Sequence, residues 1–342
     1  MLSQTAKLGG TASDVTIGKI GHGLMGMTWK TVPNPDEECF EAIKAGVDSL
    51  PAGTKMFLNS GEFYGPNFST ANLEMLSRFF ENYPDYVDKT FLSVKGGLFP
   101  DKSGLKGSLE ALTTSVDKIN NALRGKKKLD LFEMARVDKG TPIEEAVKNM
   151  ATLVKEGKFD HIGMSECNAE TLRRANAVHP IAAVEIEVSP WAYEPEAKKV
   201  IATAHELGIV VVAYSPVGRG FLTGQIKSLD DLAPDDLRRH FARFQPENFH
   251  HNLALLQDWL ALADKKKVSG AQLAIAWVAS LGPYMIPIPG SSNKKRTLEN
   301  LAAVNVELSA QDMEEISKIL DTHEIKGGRY RDGDEVVQNL WG

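Results

Sequence analysis

Short apolar runs of β character alternate along this chain with longer stretches whose apolar residues return every three or four positions. The runs at 19–25, 56–59, 90–95, 129–135, 161–165, 182–188, 209–214 and 285–289 are expected to be strands. Between and after them, helical spacing is read at 36–47, 108–123, 143–155, 169–177, 195–207, 253–263, 270–279 and 295–304. At 36–47 the buried stripe would be Phe40, Ile43 and Val47; at 108–123 it would be Leu109, Leu112, Val116, Ile119 and Leu123. Ser108 and Asn168 stand where helix N-caps belong, and Gly208 follows a helix expected to end at Leu207. Eight strand–helix repeats over some 270 residues predict an α/β chain of the (β/α)8 TIM-barrel type, for which ~250 residues is usual. An open doubly wound sheet is the competing topology. Additions to the barrel are an N-terminal strand or hairpin, a long loop after the seventh strand (218–252), and an extra C-terminal helix at 309–321. Loops of that length in compact domains are usually lids or binding loops. No linker of Pro, Gly or Ser divides the chain, so residues 1–342 read as one domain.

Two side chains then stand out at predicted strand ends. Tyr64 follows the run ending in Asn59, and Lys95 ends the run Phe91-Leu92-Ser93-Val94. A phenol beside an ammonium is a proton donor suited to carbonyl reduction, because the cation favours phenolate and draws the phenol's pKa down towards working pH. Trp29, Phe63 and Trp191 follow the first, second and sixth strands and are expected to form an aromatic slot for a flat substrate, with rim packing as the alternative. Glu62 and Arg136 fall near the same mouth, in surface or supporting roles as readily as catalytic ones.

Gly21-His22-Gly23-Leu24-Met25-Gly26 matches GxGxxG, but that dinucleotide fingerprint needs a helix at once and an acidic residue about 20 positions on. Pro33 and Pro35 disfavour an immediate helix, and the next strand starts too late and ends in Asn59. The expected role is a close-packed first strand whose end, at Gly26, lies against a ligand. A net charge of -6 argues against nucleic acid or an anionic membrane as partner. Two cysteines give no disulfide framework, and no metal-ligand spacing occurs, His250-His251 included. With no signal-like N-terminus or apolar run of membrane length, a cytoplasmic monomer acting on a small molecule is expected.

With Tyr64 and Lys95 on the second and third strands, the chain resembles the aldo-keto reductases from Gly21 to the helix at Ser309. Gly163-Met164-Ser165-Glu166, Glu185-Ile186-Glu187-Val188-Ser189, Ala213-Tyr214-Ser215-Pro216-Val217-Gly218-Arg219-Gly220 with Leu222-Thr223-Gly224, and Ile288-Pro289-Gly290-Ser291-Ser292 carry the likeness. The resemblance implies NADPH as cofactor. Ser165 and Glu185 would hold the nicotinamide amide, and Tyr214 would stack on its ring. Ser215, Pro216, Gly218 and Leu222 would line the pyrophosphate. Gly290, Ser291, Ser292, Arg296, Glu299 and Asn300 would hold the adenosine end. A loop opening into a helix welcomes a phosphate, and the planar donors of Arg296, with Lys294 and Lys295, favour a 2′-phosphate over a free hydroxyl. Arg296 as a solvated helix charge and Tyr214 as a core aromatic are the plainer alternatives.

The chain departs from that family where the chemistry is done. The usual Asp is Asn59, the usual His is Ala135, and the amide partners Asn and Gln are Glu166 and Glu185. Loss of the carboxylate at 59 is expected to leave Lys95 less neutralised and its hold on Tyr64 stronger. Loss of the histidine widens the pocket. Asn59 to Gly65, Ser93 to Gly97, Arg124 to Phe132 and Ala135 to Asp138 resemble the branch of fungal pyridoxal reductases, which implies an aldehyde substrate such as pyridoxal. Arg329 and Tyr330, beyond the last helix, read as a solvated loop rather than a segment folded over the site.

Overall fold

The computed structural model describes residues 4–99, 104–331 and 340–342. Two antiparallel strands, β1 (Thr5–Lys7) and β2 (Thr16–Gly18), form the N-terminal hairpin. Next come β3 (His22–Gly23), the single-turn helix α1 (Met25–Thr28), α2 (Asp36–Asp48), β4 (Met56–Gly61), α3 (Ala71–Asn82) and β5 (Thr90–Gly96). A small antiparallel pair, β6 (Leu98–Phe99) and β7 (Gly104–Leu105), leads to α4 (Leu109–Leu123). The alternation resumes with β8 (Leu131–Met134), α5 (Ile143–Lys155), β9 (His161–Ser165), α6 (Ala169–Val178), β10 (Ala183–Glu187), α7 (Pro195–Leu207) and β11 (Val210–Tyr214). The remaining elements are α8 (Pro246–Lys265), α9 (Gly270–Ser280), β12 (Met285–Pro287), α10 (Lys294–Ala302) and α11 (Ala310–Thr322).

β3, β4, β5, β8, β9, β10, β11 and β12 make one parallel sheet with spatial neighbours in chain order. It closes on itself: Gly21 N–H donates to Pro287 O at 3.0 Å and Gly23 N–H to Pro289 O at 3.2 Å. The (β/α)8 barrel predicted from the repeat is the fold. Strand alternation sorts its side chains into two cores. Leu58, Leu92, Phe132, Val184 and Val211 face the helices, whereas Phe57, Phe91, Leu131, Ala183, Val210 and Val212 point inside. The hairpin plugs the N-terminal end of the barrel, with Leu8, Ala12 and Ile17 on that inner layer and Gly9 N–H donating to Ala182 O at 3.1 Å. Two residues further along the same strands the inward positions turn polar. Asn59, Ser93, Glu133 and Glu185 are all buried there, with Lys95 one step beyond. Barrel enzymes work at this C-terminal end of the strands.

Three local expectations are corrected. The first strand is short and α1 opens two residues after its Gly23, because the disfavouring Pro33 and Pro35 lie five and seven residues beyond that helical turn. α3 went unread although Leu73, Leu76 and Phe80 mark its buried face. The long loop after β11 ends at Gln245 rather than 252: Pro246 occupies the first turn of α8, where its missing N–H is harmless. That loop is folded into short 3-10 turns at Gly218–Thr223, Leu229–Asp231, Leu237–His240 and Ala242–Phe244. Among the described residues no helix is long and apolar enough to cross a membrane.

Candidate active site

Because β4 and β5 pair in register, with Gly61 opposite Lys95, the turn after β4 returns Tyr64 over the lysine. Tyr64 is buried, and the Lys95 ammonium lies 5.5 Å from its ring centroid. Trp29 stacks on Tyr64 at 5.3 Å, Phe63 meets both rings edge-on, and Ala135 closes the cluster. Thr28 Oγ1 donates to the Tyr64 carbonyl at 2.6 Å and so fixes the turn. Tyr64, Lys95, Trp29 and Phe63 therefore meet as expected. Trp191 does not join them: it stacks on Phe221 at 4.0 Å and packs against Phe244, in a core cluster under the loop after β11. Glu62 turns to the helix layer, accepting from Ser115 Oγ at 2.5 Å and pairing with Lys118 at 3.0 Å.

Lys95 is not left short of counter-charge, contrary to expectation. Its Nζ donates to Glu185 Oε1 at 2.6 Å and to Asn59 Oδ1 at 3.1 Å, and Glu133 Oε1 lies 3.9 Å away. Asn59 Nδ2 donates to the other Glu185 oxygen at 2.6 Å. Glu185 thus has both oxygens engaged by the lysine and the asparagine. Burial alone would lower the Lys95 pKa, but Glu185, then Tyr64 and Glu133, raise it, so the ammonium stays charged. Tyr64 moves the opposite way from expectation. Burial pushes its phenol up to about 12, and the pull of Lys95 only partly offsets this, with Glu185 and Glu133 adding to the rise. Sequence alone supplies the cation but not the desolvation.

On the far side of the mouth, Tyr214 donates to Glu166 Oε1 at 2.6 Å. Glu166, Ser215 and Arg219 adopt positive φ (47°, 50° and 55°), a conformation that non-glycine residues hold only when their surroundings enforce it. Arg329 forks onto Glu166 at 3.2 and 3.0 Å and lies 3.5 Å from Glu187. The Tyr330 hydroxyl meets Tyr214 at 2.9 Å and accepts from Arg136 Nη2 at 3.1 Å, while Arg219 covers the Tyr330 ring at 4.4 Å. The solvated-loop reading of 329–330 is overturned: the segment is folded over the mouth, and Arg329 is buried as the counter-cation of buried Glu166.

Several features fit a dinucleotide. Ser165 Oγ, at the end of β9, is buried without a hydrogen-bond partner among the described residues, and an amide there would satisfy it. Gly218, at φ 58°, turns the chain after β11, its N–H bonded to Ser215 O, with Pro216 within that turn and Leu222 buried behind it. Gly290, Ser291 and Ser292 lead into α10, whose first N–H groups are capped by Asn293. There Arg296 is exposed and its guanidinium forms no ion pair among the described residues, Glu299 is exposed, and Asn300 is buried. Gly26 is exposed on α1 with open space above it. His22, missed as a contributor, is buried and bonds the Ser291 carbonyl at 2.7 Å, tying β3 to that loop. A surface groove of about 570 Å³ beside Asn168, Arg173 and Trp341 contains none of these groups. Among the described residues no cluster suited to a metal ion occurs.

Comparison with known proteins agrees with this geometry. The chain is 41% identical over 320 residues to Probable pyridoxal reductase 2 of Schizosaccharomyces pombe, covering 92% of this chain and 95% of that one. It is 36% identical over 326 residues to Aldo-keto reductase yakc [NADP(+)] of the same organism, covering 93% of each. A glycerol dehydrogenase from Gluconobacter oxydans shares the fold, with a TM-score of 0.81 at 23% identity over 96% of this chain and 98% of its own. The family model described as Aldo/keto reductase matches residues 19–321, and with a barrel that brings Tyr64 and Lys95 to one mouth, the chain belongs to that family.

Proposed function

We propose that this protein reduces an aromatic aldehyde with NADPH, pyridoxal to pyridoxine being the preferred substrate and product. The observation that carries this reading is the convergence of Tyr64, stacked by Trp29, with the Lys95 ammonium at the open end of the barrel. A bound reduced nicotinamide would supply the hydride. The protein's part is to seat the carbonyl against Tyr64, give that oxygen the phenolic proton as charge develops, and stabilise the phenolate left behind through Lys95. Trp29 and Phe63 offer a slot for a flat ring. The small side chain of Ala135, packed against Tyr64, leaves room for a substituent beside the aldehyde. The likeness to a probable pyridoxal reductase supports pyridoxal in particular, since its phenolic hydroxyl, adjacent to the aldehyde, brings polarity that Ala135 lacks.

The test is loss of reduced-nicotinamide absorbance on adding pyridoxal. Turnover is expected with the native chain, and Tyr64→Phe should abolish it by about 100-fold or more while NADPH binding, read by fluorescence, persists. Undiminished turnover in that variant would remove the assignment. A matched panel addresses the substrate: aromatic aldehydes without an ortho hydroxyl are expected to react about tenfold more slowly, roughly the worth of one hydrogen bond. Equal rates would set pyridoxal aside in favour of another carbonyl.

A further inference from the structure

Four buried polar groups inside the barrel form a charge arrangement that does not close. Lys95 is the only cation among them, and it faces two carboxyls, Glu185 at 2.6 Å and Glu133 at 3.9 Å, with neutral Asn59 bridging the first. Both glutamates are almost fully enclosed, and both face the same Lys95 nitrogen. Two buried carboxyls facing a single cation favour keeping a proton between them, because burial and a like charge at the same site both disfavour the second ionisation. Among the described residues no other cation reaches the pair: Tyr64 lies above Lys95, Ser93 Oγ donates to Glu133 at 3.4 Å, and the facing position on β9 is Gly163. That glycine is itself part of the arrangement. A Cβ there would stand 2.6 Å from Leu131 and 3.3 Å from a Glu133 oxygen, so the Glu133 carboxyl occupies space that only glycine leaves open.

We propose that Glu185 is the positioning carboxylate for Lys95, and that Glu133 and Glu185 together hold one proton that restores Tyr64 after each turnover. The proposal rests on the reductase reading for its last step. When Tyr64 gives its proton to the substrate oxygen, the phenol O–H bond breaks and the alcohol O–H bond forms. The phenolate takes a proton from Lys95 Nζ, and the amine takes the shared proton from the glutamate pair, leaving both carboxyls ionised. Solvent reprotonates the pair as product leaves, so each turnover consumes one hydride from the dinucleotide and one proton from water. Asn59 cannot ionise; its part is to hold Glu185 and Lys95 in line.

Two measurements test this. Infrared spectroscopy of the full-length protein without cofactor, at neutral pH, is expected to show a carboxylic-acid C=O band that is lost in both Glu133→Gln and Glu185→Gln but retained in Glu62→Gln, a buried glutamate paired elsewhere. Absence of the band from the native protein, or its survival in both variants, overturns the shared proton whether or not any aldehyde is turned over. In steady state, Glu185→Gln should lower kcat by about 100-fold with an altered pH profile. Glu185→Asp should recover part of it, and Asn59→Asp combined with Glu185→Gln should recover more, by returning a carboxylate to Lys95 from the neighbouring strand. Native kcat and pH profile in a folded Glu185→Gln protein overturn the positioning role. A native chain that reduces no aldehyde counts against the proposed function instead, and leaves the infrared result to decide this one.

Discussion

His22 illustrates how one side chain can connect the first strand to the loop before α10. It is buried, its Nε2 hydrogen donates to Ser291 O at 2.7 Å, and burial holds its pKa down to about 4 from the ordinary 6.5. Between those values the unfolded chain binds the extra proton and the folded chain does not, so this contribution is fully present above pH 6.5 and is lost as pH falls towards 4. The loss amounts to about 3 kcal/mol over that window. Denaturant titrations at pH 7 and pH 4.5 should therefore show a decline that is much smaller in His22→Gln. At the same scale, Tyr64 and Lys95 could be picked from sequence because each follows a recognisable strand. The link of Glu185 to Lys95 and Asn59 is not legible in sequence, because those partners are 90 and 126 residues away in the chain.

Among the elements, α10 is the one on which the proposed NADPH preference rests. Asn293 caps it, accepting from the Lys295 and Arg296 N–H groups at 3.0 and 3.2 Å, so the loop from Gly290 is held in place by the helix it precedes. Asn293→Ala should cost about 1 kcal/mol of stability, measurable as a lowered denaturation midpoint. Arg296→Ala is expected to weaken NADPH binding about tenfold and leave NADH binding little changed, as lost charge-assisted bonds to a 2′-phosphate would do. Equal losses for both dinucleotides would count against that role. Periodicity located most helices, since an amphipathic stripe is a local property. It gave the wrong start for α8, whose opening residues Pro246, Glu247 and Asn248 carry no apolar stripe although Phe249 behind them is buried.

Over the whole molecule, the C-terminal segment closes what the barrel opens. Arg329 supplies the cation for Glu166 and lies near Glu187 and Glu194, which pair more closely with Arg219 and Arg243, and Tyr330 links Arg136 on one side of the mouth to Tyr214 on the other. Arg329→Met should destabilise the fold by about 3–5 kcal/mol, since it leaves Glu166 buried without its counter-charge; thermal melting would reveal it, and a shift within error would show that the pair is dispensable. By itself the sequence determined the barrel, the order of its strands and the placement of Tyr64 and Lys95 at strand ends, because these follow from local periodicity and from a repeat that can bury its faces in few ways. Only the tertiary structure decided where the charges went. The sharing of Lys95 between Glu185 and Glu133, the rise of the Tyr64 pKa and the return of Arg329 over the mouth depend on desolvation and on partners far apart in the chain, quantities that exist only once the barrel has closed.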